Sequence, residues 1–443
     1  MAQEPEQGKE RKRRLSKRWI VIGVLALCVA FVTARIVRLV TAKPTIAVDY
    51  AARYNELARP VDCDPCDNAA PLYATAFAIL ADAPEDHNTL EMIVTASEMP
   101  YWWCERSCID WSGSDANSPL AAQMVGFRRA ALRLREEAIW HAEDGDIEQA
   151  LQTVTTIGKM ARHMGGRHAT RNQVLVATAL NGLAQYTARR LLAEHDIEAD
   201  LLDRFQRHTE AILAQPISLC WETEELQLLD AIQRSFTDNG KGDGQLIVGR
   251  IFDEYRRMEE LPNELADAFA YLKHLHIALR HPSRAGTVQL LEDLIAWIEE
   301  LSQQTPWELH RRDTSYEGEI RKRIAGNYFL ELIQLDRRLG RTLEILSRMQ
   351  VAADALTTTI ALLRYQRGEG HWPESLDVLL DAGYIRHIPI DPFSDEALVY
   401  KPTGETFLLY SFGADFDDDG GASSNWGQGA DGGDQVFWPF QEN

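Results

Sequence analysis

Asp415, Asp417 and Asp419 alternate along the chain and Gly420 follows them. Hard cations such as Ca2+ need several oxygen ligands converging on one point, and alternating aspartates before a glycine turn supply that geometry. An EF-hand loop would carry an acid at its twelfth position, but Trp426 stands there, so Asp431 or Asp434 must close the shell. No Lys or Arg follows Lys401, which leaves these carboxylates short of protein cations. Calcium held among Asp415, Asp417, Asp419, Asp431 and Asp434 is the expectation, with a solvated acidic tail as its alternative.

Four of the six cysteines form two close pairs, Cys63/Cys66 and Cys104/Cys108. Outside the cytoplasm such pairs are expected as disulfides, whose connectivity the sequence leaves open. A four-thiolate zinc site is the alternative, since both spacings suit metal ligation, and unpaired thiols are a third. Asp62, Asp64 and Asp67 beside Cys63 and Cys66 would raise their pKa, which disfavours a redox role.

Catalytic motifs are missing: no H-E-x-x-H, G-x-S-x-G, P-loop or dinucleotide fingerprint occurs. His274, His276 and His281 form the densest histidine group, but side chains two apart on a helix diverge, so filler roles are expected. His163 and His168 flank the turn Met164-Gly165-Gly166-Arg167. Trp102, Trp103, Trp140, Trp221, Trp297 and Trp307 are expected in helix contacts rather than a ligand groove.

These residues hang on a chain with an uneven charge plan. Residues 1–18 hold seven Lys/Arg against three Glu, although the whole chain has a net charge of −21. That acidity excludes a general nucleic-acid binder, which needs a basic face. Trp19 to Ala34 carries no charge, and the apolar stretch extends over 19–40 if Arg35 and Arg38 snorkel, long enough for a membrane-spanning helix. A basic flank before the span places residues 1–18 in the cytoplasm and everything after Lys43 outside. A cleaved signal peptide is the rival, with Val32-Thr33-Ala34 as its small-residue site.

Segments 44–118, 119–351 and 352–443 follow: a cysteine-containing stretch, a helical ectodomain and a C-terminal module. Phe127, Ala131, Leu134, Ala138 and Ala142 recur on one helix face, and Ile147, Ala150, Leu151, Val154, Ile157, Ala161 and Met164 on the next. Gly145 and Asp146 supply the stop and the N-cap between them. The pair looks like one layer of a tetratricopeptide repeat, without a second copy at the expected period. Further helices are expected over 172–194, 200–213, 222–236, 249–279, 287–302 and 319–366, with 304–316 as a connector.

Beyond residue 352 a helix runs to Tyr365 and Gly370. Trp372-Pro373, a short helix, Asp391-Pro392-Phe393, Tyr400 and Leu409-Tyr410-Ser411-Phe412-Gly413-Ala414-Asp415 follow in order, then an aspartate-bearing loop ending near Trp438. Strands are expected over 398–401 and 406–411. This succession, about a fifth of the chain, resembles the C-terminal part of the major pseudopilin of type II secretion systems. The resemblance implies calcium in the last loop, with Asp415, Asp431 and Asp434 as ligands by position. It stops at the N-terminus: the span contains no acid, and a long helical region separates it from the module.

The expected protein is therefore mainly α, with a transmembrane helix, a bundle or TPR-like ectodomain, and a small α+β pseudopilin-like module. It is expected in a bacterial inner membrane, single-pass, bulk extracytoplasmic, as a non-catalytic scaffold for an envelope protein partner. Alternatives are an accessory part of a secretion or pilus-like system and an extracytoplasmic hydrolase.

Overall fold

A computed structural model describes residues 6–61, 63–83, 87–107, 109, 119–258, 264–423 and 432–441. The helices in chain order are α1 Glu6–Thr41, α2 Tyr50–Ala58, α3 Ala70–Asp82, α4 His87–Ser97, α5 Pro119–Glu143, α6 Ile147–Met164, α7 Arg171–Glu194, α8 Ala199–His208 and α9 Trp221–Ser235. After these come α10 Val248–Met258, α11 Glu264–Arg280, α12 Arg284–Leu301, α13 Pro306–His310, α14 Tyr316–Ile324, α15 Tyr328–Leu332, α16 Leu335–Glu369 and α17 Leu376–Asp381. Strands β1 Val399–Pro402, β2 Phe407–Ser411 and β3 Gln435–Trp438 form one small sheet, so the protein is mainly α with a small α+β part.

Two compact units divide the chain: 1–48, 231–290 and 325–333 in the first, and 49–230, 291–324 and 334–443 in the second. In the first unit, Trp19–Thr41 of α1 has a mean hydropathy of 2.6 and is long and apolar enough to cross a membrane. Its side chains from Trp19 to Ala34 are exposed, whereas Leu39 is buried, where α10 and α11 pack on α1. The single helix expected over 249–279 is instead two, α10 and α11, and Pro262 between them lies outside the described residues. His274 is fully buried and bonds Ala270 O and Tyr328 Oη, while His281 bonds Pro282 O and Asn327 Oδ1. His274 and His281 thus spend their ring nitrogens on neighbouring protein groups.

The second unit contains the helical layers and the sheet. The apolar stripe of α5, from Phe127 to Ala142, is buried throughout, as is that of α6 from Ala150 to Met164. Gly145 takes φ +91°, and the Asp146 carboxylate accepts from Gln149 N at 3.0 Å, which turns one helix into the next. α7 begins with a capping box between Thr170 and Gln173. Further along α7, Asn181 and Gln185 donate to Leu213 O at 3.0 and 3.2 Å, satisfying a carbonyl at the end of a five-residue π turn.

The helix expected over 319–366 is broken into α14, α15 and α16, with Gln334 in the left-handed region at φ +54°. The expected connector 304–316 contains α13, capped by Thr305 and Glu308. β1, β2 and β3 pair antiparallel in that order, with Val399 opposite Tyr410 and Leu409 opposite Trp438. Val351, Leu356 and Ile360 of α16 with Phe393, Phe407 and Trp438 share one continuous core with α3 to α7. A three-stranded sheet with short strands lacks a sufficient hydrophobic face, and the long helix supplies it.

Candidate functional site

The C-terminal aspartates sit at the end of this sheet. Asp434 is fully buried, and one of its oxygens accepts from Gly421 N at 2.6 Å while the other, Oδ1, has no hydrogen-bond partner among the described residues. Burial, then the charges of Asp418 and Asp419, push its pKa up to about 6 against two backbone donors. Asp415 accepts from Gly433 N and from Asp417 N, and desolvation, then the charges of Asp415 and Asp417, raise the pKa of Asp419. Asp418, which the alternating pattern skips, is bonded by Tyr410 Oη at 2.8 Å, and Lys401 Nζ donates to that same phenol. Lys401 thus serves the loop from the neighbouring strand. Among the described residues no three His, Cys, Asp or Glu side chains converge tightly enough to hold an ion, and Asp431 lies outside those residues. The donors present are hard oxygens, and the orphaned Asp434 oxygen is the kind a cation would satisfy.

Cys63, Cys66 and Cys104 are free thiols, and Cys108 lies outside the described residues. A hydrogen bond from Cys66 to Asp64, and the charges of Asp64 and Asp67, hold the Cys66 thiol up, as its neighbours in sequence suggest. Burial raises Cys104. Neither is poised as a thiolate.

A larger concavity lies in the second unit, a cleft of about 560 Å3. Its walls are the end of α2 with the following Arg59-Pro60-Val61, the segment Pro100–Arg106, the end of α6, and the turn 166–169 leading to Gln173 of α7. Asn68 fixes the second wall by clasping Trp103, its Nδ2 donating to Trp103 O at 2.9 Å and its Oδ1 accepting Trp103 N at 3.0 Å. Asn55 clasps Arg106 in the same way at 2.7 and 2.9 Å. Arg106 is buried, its guanidinium 4.1 Å from the Tyr54 ring and bonded to Gln173. Arg59 lies 5.6 Å from the Trp103 ring.

Two histidines reach the cleft. His163 Nε2 bonds Met99 O at 2.9 Å and its Nδ1 meets Tyr73 Oη at 3.2 Å, so both nitrogens are engaged. His168 Nδ1 is 3.6 Å from Cys220 Sγ. Burial lowers the pKa of both, and Arg167 lowers that of His168 further. Beneath them Glu224 is fully buried, accepting Arg171 N at 2.6 Å.

Trp102 and Trp103 thus line a cleft, contrary to the helix-contact role expected of them, although Trp102 also packs on Phe127. Arg59, Arg106 and Cys220 carried no sequence signal, because their partners are far away along the chain. The aromatic run 101–103 beside a cysteine pair, and His163 and His168 around the turn 164–167, were the sequence features that fall on it. Comparison with known protein families, curated proteins and solved structures finds no match for this chain.

Proposed function

We propose that this chain is a single-pass anchored recognition protein of the bacterial envelope, with its bulk outside the cytoplasmic membrane and no catalytic chemistry of its own. The observation that carries it is the cleft: about 560 Å3, within the range of ligand pockets, and walled by tryptophans and arginines held by asparagine clasps. The Cys220–His168 pair is the nearest thing to a nucleophile and base, but Cys220 is not among the cleft's lining residues. The apolar helix Trp19–Thr41 and its basic flank support an inside-out anchor. A photo-crosslinking amino acid placed at Val61, on the cleft, should capture an envelope component in native membranes. The same group at Trp140, exposed on α5, should not. Equal capture from both positions, or none from position 61, overturns the recognition role.

Calcium belongs to this proposal as a structural ion of the C-terminal loop, with Asp415, Asp434 and Asp431 as its holders and Asp417 or Asp419 completing the shell. The ion would neutralise a loop of crowded carboxylates and order it. Millimolar calcium is expected to stabilise the full chain in detergent by about 3 kcal/mol at a hundredfold excess over Kd, seen as a higher thermal unfolding midpoint. Asp434→Asn should abolish the rise. A wild-type midpoint that ignores calcium removes the ion.

A further inference from the structure

The cleft is selective in what lines it. Among the described residues that line it, four are arginines, Arg59, Arg106, Arg162 and Arg167, and none is Asp or Glu. The chain as a whole holds 67 Asp+Glu against 46 Lys+Arg, so composition alone would give the opposite balance. A concave wall of one charge sign concentrates counter-charged solutes.

The four arginines differ in how they are committed. Arg106 is held on Tyr54 and Gln173, and Arg162 donates to Pro216 O at 3.0 Å. Arg59 and Arg167 are exposed at the rim, and neither has a carboxylate within ion-pair distance among the described residues. A guanidinium without a carboxylate offers its planar fork to an incoming carboxylate or phosphate. Beside Arg59, the Trp103 indole N–H is buried and has no hydrogen-bond partner among the described residues. A buried donor left unpaired is unfavourable, and a ligand oxygen would relieve it. Tyr101, Trp102 and Trp103 add aromatic faces to the same walls.

We infer that the cleft takes a ligand bearing a carboxylate or phosphate attached to a flat apolar group, the anion meeting Arg59, Arg167 and the Trp103 indole and the flat group lying on the aromatic wall. This rests on the recognition role proposed for the same cleft and names its ligand class. Arg106 and Arg162 act from behind as fixed positive charge.

Isothermal titration of the full chain in detergent tests it, with phenylacetate and phenyl phosphate as anionic probes and 2-phenylethanol as the neutral analogue. Saturable binding of at least one anion is expected, at least about tenfold tighter than the neutral probe and weakening with salt. Whichever of the two anions binds more tightly identifies the natural anionic group. The double variant Arg59→Gln/Arg167→Gln, with both changes at exposed positions, should lose about tenfold in anion affinity while keeping the wild-type circular dichroism. Equal binding of the neutral probe, an unchanged double variant, or no saturable heat from either anion up to about 10 mM overturns the ligand class. Capture from position 61 without any anion preference would leave the recognition role standing and sink only this inference.

Discussion

Asp391→Ala is expected to loosen the C-terminal sheet by about 3 kcal/mol. The carboxylate is buried, and it gathers donors from two separate segments. Phe393 N at 3.0 Å and Ser411 Oγ at 2.8 Å meet one oxygen, and Phe412 N at 2.9 Å and Ser394 Oγ at 3.4 Å meet the other. One side chain therefore ties the Asp391-Pro392-Phe393 turn to the end of β2. Truncation leaves at least two backbone donors orphaned in the interior, each unfavourable by about 1–3 kcal/mol. Asp391→Asn should recover less than half of the loss, because its amide presents N–H groups to positions that need acceptors. Hydrogen exchange of the β2 amides reads the local opening free energy directly. A change below about 1 kcal/mol in the alanine variant would show that the sheet stands without this tie.

Between pH 4.5 and 7 the second unit is expected to lose about 3 kcal/mol of stability through Glu224. Burial pushes this carboxyl up to about 7 from 4.5, against the opposing pull of the Arg171 backbone donor and the charges of Arg171 and Arg106. The native state then binds the proton more tightly than the unfolded chain does. Its contribution is full below pH 4.5 and falls as pH rises to 7, beyond which it is flat. Glu224→Gln keeps an oxygen for Arg171 N and carries no charge, so it should flatten this slope and exceed the wild type in midpoint at pH 8. Thermal midpoints of both proteins across pH 4 to 8 decide it. A variant less stable than wild type at every pH would mean that the two arginines hold Glu224 ionised throughout.

Much of the architecture was legible because it is local. The stripe from Phe127 to Ala142 and the Gly145-Asp146 turn depend on residues within a few positions of each other, and both hold in the structure. Strands β1 and β2 were legible from their apolar, aromatic segments and the turn at Pro402-Thr403-Gly404 between them. Where expectation failed, a longer-range term decided. The breaks around α15 come from Asn327 capping a new helix and Gln334 turning left-handed, neither visible in an apolar periodicity that runs straight through. The shared core of residues 352–443 with α3 to α7 joins positions hundreds of residues apart. The cleft was illegible for the same reason: Asn55, Asn68, Arg106 and Gln173 each act on a partner in another segment. Of the aspartate pattern, the sequence showed the carboxylates, and the structure adds Asp418 with its phenol and Lys401.

Leu39 is 1% exposed although it lies in the last turn of the apolar stretch of α1. Helices α10 and α11, more than two hundred residues further along the chain, pack on α1. An anchor joined through a slack linker would act as a leash and let the first unit tumble. If α1 anchors the chain, an anchor whose final turn belongs to that unit's interior would act as a rigid mount, so that tilting the helix in a bilayer would tilt the unit with it. A soluble fragment cut at residue 44 would remove a piece of that interior, and one that begins upstream of Arg35 would keep it.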